Sequence, residues 1–193
     1  MFTVPASPAE EKMGLIINAC RTGNRKAQET LYQHYFSYGL SIALRYGHDR
    51  EEARDILQEG FYKVFSGLDH YDPALPFKTW LRRVLINAAI DYLRRYKRRP
   101  EELSEDLPPA SNSHNDGWEH LQYDDVLAAV CQLSPAYRLV FNLYAIEGFR
   151  HREIAEKLSI SEGTSKSNYA KARLQLQQYL KNKGIDQSNW YER

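Results

Sequence analysis

The 193-residue sequence predicts an all-α protein of two small helical domains joined by a flexible acidic linker, the second domain containing a helix-turn-helix. Three observations support this prediction. Apolar residues recur with helical period along most of the chain, and no convincing alternation of apolar and polar residues predicts a strand. A stretch rich in proline and acidic residues interrupts that pattern at 100–120. Beyond it, a capped helix follows a short helix across a tight turn, which is the pattern of a helix-turn-helix.

The first domain, residues 1–99, is predicted to be a small bundle of four helices. Capping residues and glycine stops flank its periodic apolar segments and set the boundaries. The predicted segments are a short helix at 15–21, a helix between Asn24 and Gly47, a helix from Asp49 to Gly67, and a helix from about Phe77 to Arg98.

The linker at 100–120 has too little apolar periodicity to bury a core, so we expect it to connect domains without belonging to either. The second domain, residues 121–183, is predicted to contain four helices. Ser134-Pro135 has the form of an N-cap followed by proline at the first helical position. These helices are expected at 121–133, from Pro135 to about Glu147, at 151–158, and from about Glu162 to Lys181. No function is predicted for the tail at 184–193.

Composition excludes several classes of protein. The chain has two cysteines, Cys20 and Cys131, in no paired motif, which argues against a disulfide scaffold or a tetra-cysteine zinc site. No apolar run reaches the length of a membrane span, and the first residues lack the pattern of a secretory signal. Nucleotide-binding, metalloprotease and nucleophile-elbow motifs are missing from the sequence. We therefore expect a cytoplasmic protein that is no enzyme, with no metal, cofactor, small-molecule substrate or membrane insertion.

The near-neutral total charge of +1 hides a strong segregation along the chain. Residues 78–99 carry 8 basic residues and one acid, a net charge of +7. Residues 100–125 carry eight acids and no lysine or arginine. A basic block of this density predicts contact with a polyanion, and nucleic acid is the first candidate. The alternative is a solvated helix face.

The helix at 77–98 is the first predicted nucleic-acid surface. Its polar residues recur at helical spacing on one face, where arginine suits phosphate and asparagine suits adenine. Trp80 and Tyr92 offer planes for unpaired bases, although core packing is an alternative for Trp80 and the favoured interpretation for Tyr92. An intrahelical pair with a following arginine is the alternative for Asp91. The candidate residues are Trp80, Arg82, Arg83, Asn87, Asp91, Arg94, Arg95 and Arg98.

The helix-turn-helix at 152–171 is the second predicted nucleic-acid surface. Ala155 is small where the two helices meet, Ile160 is the apolar residue after the turn, and Ser161 caps the second helix. That helix is expected to place its N-terminal part in a major groove. A packed helical hairpin without DNA is the alternative. The candidate residues are Arg152, Ser161, Thr164, Ser165, Lys166, Asn168, Lys171 and Arg173.

The third helix is expected to expose an acidic face opposite its apolar stripe. This face contains Asp55, Gln58, Glu59 and Tyr62, whereas Phe61 belongs to the apolar stripe. An acidic face does not bind DNA, so it is either plain solvent surface or a docking site for a basic protein partner.

Three segments together resemble the bacterial extracytoplasmic-function (ECF) sigma factors, of the sigma-70 family. They are DILQEGFYKVFSGLDHYDP, FKTWLRRVLINAAIDYLRR and, after the linker, LSPAYRLVFNLYAIEGFRHREIAEKLSISEGTSKSNYAKAR. The resemblance covers roughly residues 14–181 in the family's order. It implies a promoter-specificity subunit that binds the RNA polymerase core, recognises the minus-ten and minus-thirty-five promoter elements and assists DNA melting. It also implies an anti-sigma factor as a partner.

The resemblance assigns a role to each candidate surface. Asp55, Gln58, Glu59 and Phe61, with Tyr62 beside them, are implied to face the clamp helices of polymerase. The INAAID stretch resembles the segment that captures the minus-ten element, with Asn87 and Asp91 at its polar positions. The GTSKSN stretch resembles the reader of the minus-thirty-five element, with Ser165 and Asn168 where other members often have valine and arginine.

A stand-alone helix-turn-helix regulator of duplex operator DNA is the alternative function. It accounts for the second domain and leaves the polar face at 77–98 unexplained. Because a sigma factor alone binds duplex promoter poorly and a repressor binds its operator well, dependence on polymerase distinguishes the two.

Overall fold

The structure, a computed structural model, describes residues 8–96 and 126–184. Helices form the regular structure of both ranges and no strand occurs in them, which confirms the all-α prediction. The described residues form two compact units. One falls within Met1–Leu44 and Glu51–Tyr92, and the other within Arg45–Arg50 and Leu93–Arg193. The predicted linker at 100–120 and the predicted tail, apart from Gly184, lie outside the described residues.

Four helices and one short turn of 3-10 helix make up the N-terminal part. They are α1 (Pro8–Arg21), α2 (Arg25–Tyr46), α3 (Arg50–Gly67), the 3-10 turn Leu68–His70, and α4 (Phe77–Tyr96). The first helix begins earlier than the predicted residue 15. Its first turn opens with proline and is mostly polar, so apolar periodicity does not reveal it.

Local signals determine where α2 begins and ends. The side chain of Asn24 accepts a hydrogen bond from the backbone N–H of Ala27 at 3.0 Å, as predicted for the cap. The helix ends at Tyr46, directly before Gly47. These boundaries agree with the sequence prediction.

Two buried glycines bring the helices of the first unit into close contact. A Cβ at Gly39 of α2 would lie 2.7 Å from Leu57 Cδ1, and one at Gly60 of α3 would lie 2.5 Å from Leu85 Cδ2. Leu57 is 1% exposed and Leu85 3% exposed. The helices therefore approach at distances that only glycine permits without rearrangement.

The connection between α3 and α4 is held by two polar side chains. Asp72 accepts a hydrogen bond from the backbone N–H of Ala74 at 2.9 Å, which forms the predicted turn. Arg21, at the end of α1, donates to the carbonyl oxygens of Leu68 at 3.0 Å and Tyr71 at 2.7 Å. The first helix thus fixes the segment that leads into α4.

In the described residues, the C-terminal part contains four helices and one π-helical turn. They are α5 (residues 126–132), α6 (Pro135–Phe141), which continues as a π-helical turn Asn142–Ile146, α7 (His151–Leu158) and α8 (Glu162–Asn182). Ser134 caps α6 as predicted, and the left-handed Gly148, with φ of 75°, follows the π-helical turn.

A small apolar core joins α5 to α8. Its buried members are Ala129, Val130, Leu133, Ala172, Leu176 and Leu180. Arg138 of α6 is also buried, and its guanidinium donates to the carbonyl oxygens of Cys131 and Leu133 at 2.6 and 3.0 Å. These bonds satisfy carbonyls at the end of α5 that have no partner within their own helix.

Candidate nucleic-acid and protein interfaces

The acidic face predicted on α3 is present at the surface. Asp55, Gln58 and Tyr62 are exposed, and Glu59 is partly buried. The Tyr62 ring is 73% exposed, which is unusual for so large a side chain. The face therefore combines carboxylates with one prominent aromatic ring.

Phe61, which the resemblance implied would face polymerase together with this face, is buried as its place in the apolar stripe predicted. Phe61 is 3% exposed, and its ring centroid lies 4.7 Å from that of Tyr32 and 6.0 Å from that of Phe65. Its side chain lies in the core because it continues the apolar stripe of α3.

The predicted polar face of α4 is also present. Its described cations form two groups, Arg82 and Arg83 in the second turn of the helix and Arg94 and Arg95 in its last turn. Arg83, Arg94 and Arg95 are exposed, while Arg82, Asn87 and Asp91 are partly buried. Arg98 lies outside the described residues.

The two aromatic residues of α4 differ in environment. Tyr92 is 9% exposed, in agreement with core packing. Trp80 is partly buried, with ring centroids of Tyr71 and Phe77 at 5.4 and 5.6 Å. Trp80 thus packs against its own unit along one side, and base stacking on its remaining surface stays a prediction.

Asp91 pairs with a residue that sequence reasoning did not single out. Its Oδ2 lies 2.7 Å from Nζ of Lys63 on α3, where an intrahelical arginine was the predicted alternative. The two residues are 28 positions apart, so local spacing gave no signal for this pair.

The helix-turn-helix forms as the sequence predicts. Ser159, the turn residue, adopts the left-handed conformation with φ of 56°, and the N–H of Ile160 donates to the Ala155 carbonyl at 3.1 Å. The Ser161 hydroxyl accepts from the backbone N–H of Thr164 at 2.9 Å and caps α8. The motif therefore has a strained turn followed by a well-capped helix.

Most of the predicted contacts of this motif are at the surface. Asn168 is partly buried and Ser165 is buried. The exposed members are Arg152, Ser161, Thr164, Lys166, Lys171 and Arg173.

Two of these cations have acidic neighbours one turn away. Lys166 Nζ lies 2.7 Å from Glu162 Oε1, and Arg152 Nε lies 3.4 Å from Glu156 Oε1. The hydrogen bond from Lys166 and its charge hold the pKa of the Glu162 carboxyl below its ordinary value. A phosphate that binds Lys166 must therefore compete with this carboxylate.

The prediction that Ser165 contacts DNA is wrong, because the side chain is fully buried. Its Oγ lies 3.0 Å from Nδ1 of His151, at the start of α7. The His151 ring stacks on Tyr144 at 4.2 Å between centroids, and Tyr144 contacts Tyr169 at 4.5 Å. A buried polar side chain such as Ser165 needs a hydrogen-bond partner. That need was the only signal in the sequence that could have pointed to His151.

No group of three or more His, Cys, Asp or Glu residues within 8–96 and 126–184 is arranged to hold a metal ion. No helix in those ranges has both the length and the apolar character to cross a membrane.

Comparison with known proteins covers both units. Residues 31–99 match the family model for Sigma-70 region 2, and residues 123–176 match that for Sigma-70, region 4. The ECF RNA polymerase sigma factor SigE of Mycolicibacterium smegmatis is 31% identical over 184 residues, which cover 90% of this chain and 70% of that protein. The ECF RNA polymerase sigma factor SigM of Bacillus subtilis is 29% identical over 161 residues, covering 82% of this chain and 97% of that protein.

Among solved structures, the sigma factor RpoE in complex with the anti-sigma factor NepR, from Bartonella quintana, is similar with a TM-score of 0.47. Its identity is 20%, and the match covers 91% of this chain and 98% of that chain.

The paired region 2 and region 4 matches, together with the 31% identity to SigE of Mycolicibacterium smegmatis, define the class. The chain belongs to the ECF sigma factors of the sigma-70 family. It is accordingly a promoter-specificity subunit of RNA polymerase, and the comparisons do not favour the stand-alone operator-binding regulator.

Proposed function

We propose that residues 1–99 bind the polymerase core and capture the minus-ten element, and that residues 121–183 read the minus-thirty-five element. The observation that carries this proposal is the pair of charged faces on α4 and α8, which lie in the stretches that match regions 2 and 4. In vitro transcription with core polymerase on a promoter library is the direct test. Transcripts that start at a common pair of elements only when the protein is present are the expected result.

The acidic face of α3 is the proposed docking surface for core. Its carboxylates suit a basic partner, and an exposed tyrosine is typical of the residues that dominate protein interfaces. Tyr62 is 73% exposed, so its removal leaves the packing of the unit intact. We expect Tyr62→Ala to weaken core binding by about thirtyfold, the equivalent of about 2 kcal/mol at an interface hot spot.

Leu15→Ala provides a matched control for this experiment. Leu15 is a large apolar residue on α1 of the same unit and is 72% exposed. Its replacement should leave core affinity unchanged when both variants are titrated with polymerase in a fluorescence anisotropy assay. Equal affinities for Tyr62→Ala and the wild type would contradict the proposed docking surface.

The polar face of α4 is the proposed reader of the minus-ten element, and the exposed face of α8 is the proposed reader of the minus-thirty-five element. The first works on opened DNA, where asparagine and arginine meet unpaired bases and phosphates. The second works on duplex, where the capped end of α8 enters the major groove. The two faces are therefore expected to respond differently to melting of the template.

We propose further that the protein acts in the cytoplasm, that it catalyses no reaction of its own, and that an anti-sigma factor holds it when it is not bound to polymerase. Membership of the ECF sigma factors supports all three statements. Purification of the tagged protein from its own cells tests the last. A co-purifying protein that core polymerase displaces is the expected result, and its absence under every growth condition contradicts the proposal.

A further inference from the structure

Lys63 connects the α3 face to the α4 face inside the first unit. Its Nζ lies 2.7 Å from Asp91 Oδ2 and 3.4 Å from Glu59 Oε1. The Asp91 side chain is 49% exposed, whereas those of Lys63 and Glu59 are 34% and 18% exposed. One ammonium group thus serves a carboxylate on each of the two helices.

The position of Lys63 relative to Asp91 is fixed by the packing around it. The next residue of α4, Tyr92, donates its hydroxyl to Asp55 Oδ2 of α3 at 3.4 Å. The close approach at Gly60 sets the separation of α3 and α4. Asp91 and Tyr92 of α4 are thus both bonded to side chains of α3. The partner of the Asp91 carboxylate therefore comes from a packed helix and not from a flexible loop.

The pair has a clear electrostatic consequence for a surface that binds DNA. A carboxylate among phosphates is repulsive unless a cation compensates it, and an ammonium at 2.7 Å does so. Lys63 bonds Oδ2, and the Asp91 side chain is still 49% exposed, so the carboxylate keeps surface that a ligand can reach. A carboxylate oxygen accepts hydrogen bonds from the exocyclic amino group of a base and repels a carbonyl oxygen in the same place.

We propose that Lys63 is a positioning residue for minus-ten recognition, which orients Asp91 to accept a hydrogen bond from the amino group of a cytosine or adenine. This inference rests on the proposed function, in which α4 reads the minus-ten element. It assigns base selectivity to a residue of α3 that contacts no DNA itself.

The test is in vitro transcription with core polymerase on promoters that carry each of the four bases at each minus-ten position. The readout is the ratio of initiation rates between the preferred base and the others. Lys63→Met should reduce that ratio at one position by about tenfold, within the range for loss of a base contact. Lys63→Arg should keep it within about twofold of the wild type, because the guanidinium supplies a cation to the same carboxylate.

Asp91→Asn should lower the ratio at the same position, and adding Lys63→Met to it should change the ratio no further. Lys26→Met is the matched control, because it removes one exposed lysine charge from α2 of the same unit. It should leave every ratio unchanged.

A purely structural role for Lys63 would slow initiation on all promoters equally and leave the ratios intact, and this outcome overturns the proposal. Equal loss of selectivity in Lys26→Met would overturn it as well, since net charge would then be the cause. If Asp91→Asn shifts selectivity and Lys63→Met does not, the role of Lys63 is wrong while the proposed function stands. If the wild-type protein directs no promoter-specific initiation, the proposed function itself fails and the inference fails with it.

Discussion

Replacement of Gly39 by alanine tests whether close helix contact governs the stability of the first unit. The added Cβ would lie 2.7 Å from Leu57 Cδ1, 3.2 Å from Phe61 Cε2 and 3.4 Å from Leu85 Cδ1. Alanine favours a helix over glycine by about 1 kcal/mol, whereas overpacking a filled core costs about 1–3 kcal/mol. Since three buried side chains surround the site, we expect a net loss of about 1 kcal/mol in the free energy of unfolding.

Gly14→Ala is the matched control, because nothing lies within 4 Å of a Cβ at this position of α1. At Gly14 only the difference in helix propensity between glycine and alanine acts, so the free energy of unfolding should rise by up to about 1 kcal/mol. Urea unfolding followed by circular dichroism measures both midpoints, with the slopes compared to check that the transitions are alike. A Gly39→Ala variant at least as stable as the wild type would refute the inference that the side chains around Gly39 leave no space for a methyl group.

Four further outcomes are expected for the second unit and the DNA-reading faces. Asn87→Ala should slow open-complex formation and weaken base preference at one minus-ten position by about 1–3 kcal/mol, and a premelted template should restore the rate but not the base preference. Lys166→Ala should weaken closed-complex binding on either template and reduce the slope of log affinity against log salt concentration by about 0.9. Ser159→Gly should raise the unfolding free energy of the second unit by about 1 kcal/mol, because the left-handed φ of 56° suits glycine, and thermal melts check it. In the wild type, the depressed pKa keeps the Glu162 carboxylate ionised to lower pH, and its pair with Lys166 is lost only as the pH falls through that pKa. Lys166→Ala removes the main stabilising partner, so the pKa of Glu162 should rise towards its ordinary value. NMR titration of the Glu162 side chain measures this change.

The helix boundaries that the sequence predicted well are those with a local chemical cause. Asn24, Ser134 and Ser161 each cap the helix that follows, and a short polar side chain before an apolar periodic segment is visible without any tertiary information. The π-helical turn Asn142–Ile146 was not predictable in this way. Apolar periodicity indicates which face is buried, and it does not reveal the register of the backbone hydrogen bonds.

The candidate surfaces were predicted better as faces than as individual residues. Phe61 fits the apolar stripe of α3, and the structure agrees with that periodicity against the role implied by family resemblance. Ser165 was assigned to the DNA surface from its motif position, although its hydroxyl is buried against His151. The Lys63–Asp91 pair joins two helices, so only the tertiary packing brings the two side chains together.

The contact of Arg21 with the segment after α3 bears on how this protein can be divided. The match to Sigma-70 region 2 begins at residue 31, whereas α1 ends at Arg21 and bonds the carbonyl oxygens of Leu68 and Tyr71. The region that the family model matches is therefore shorter than the stretch that holds the entry to α4 in place. In a chimera that takes only residues 31–99 from another sigma factor, α1 of this protein would face a segment after α3 that comes from the other protein. Transplanting α1 together with the matched region keeps Arg21 and the two carbonyl groups that it contacts from the same protein.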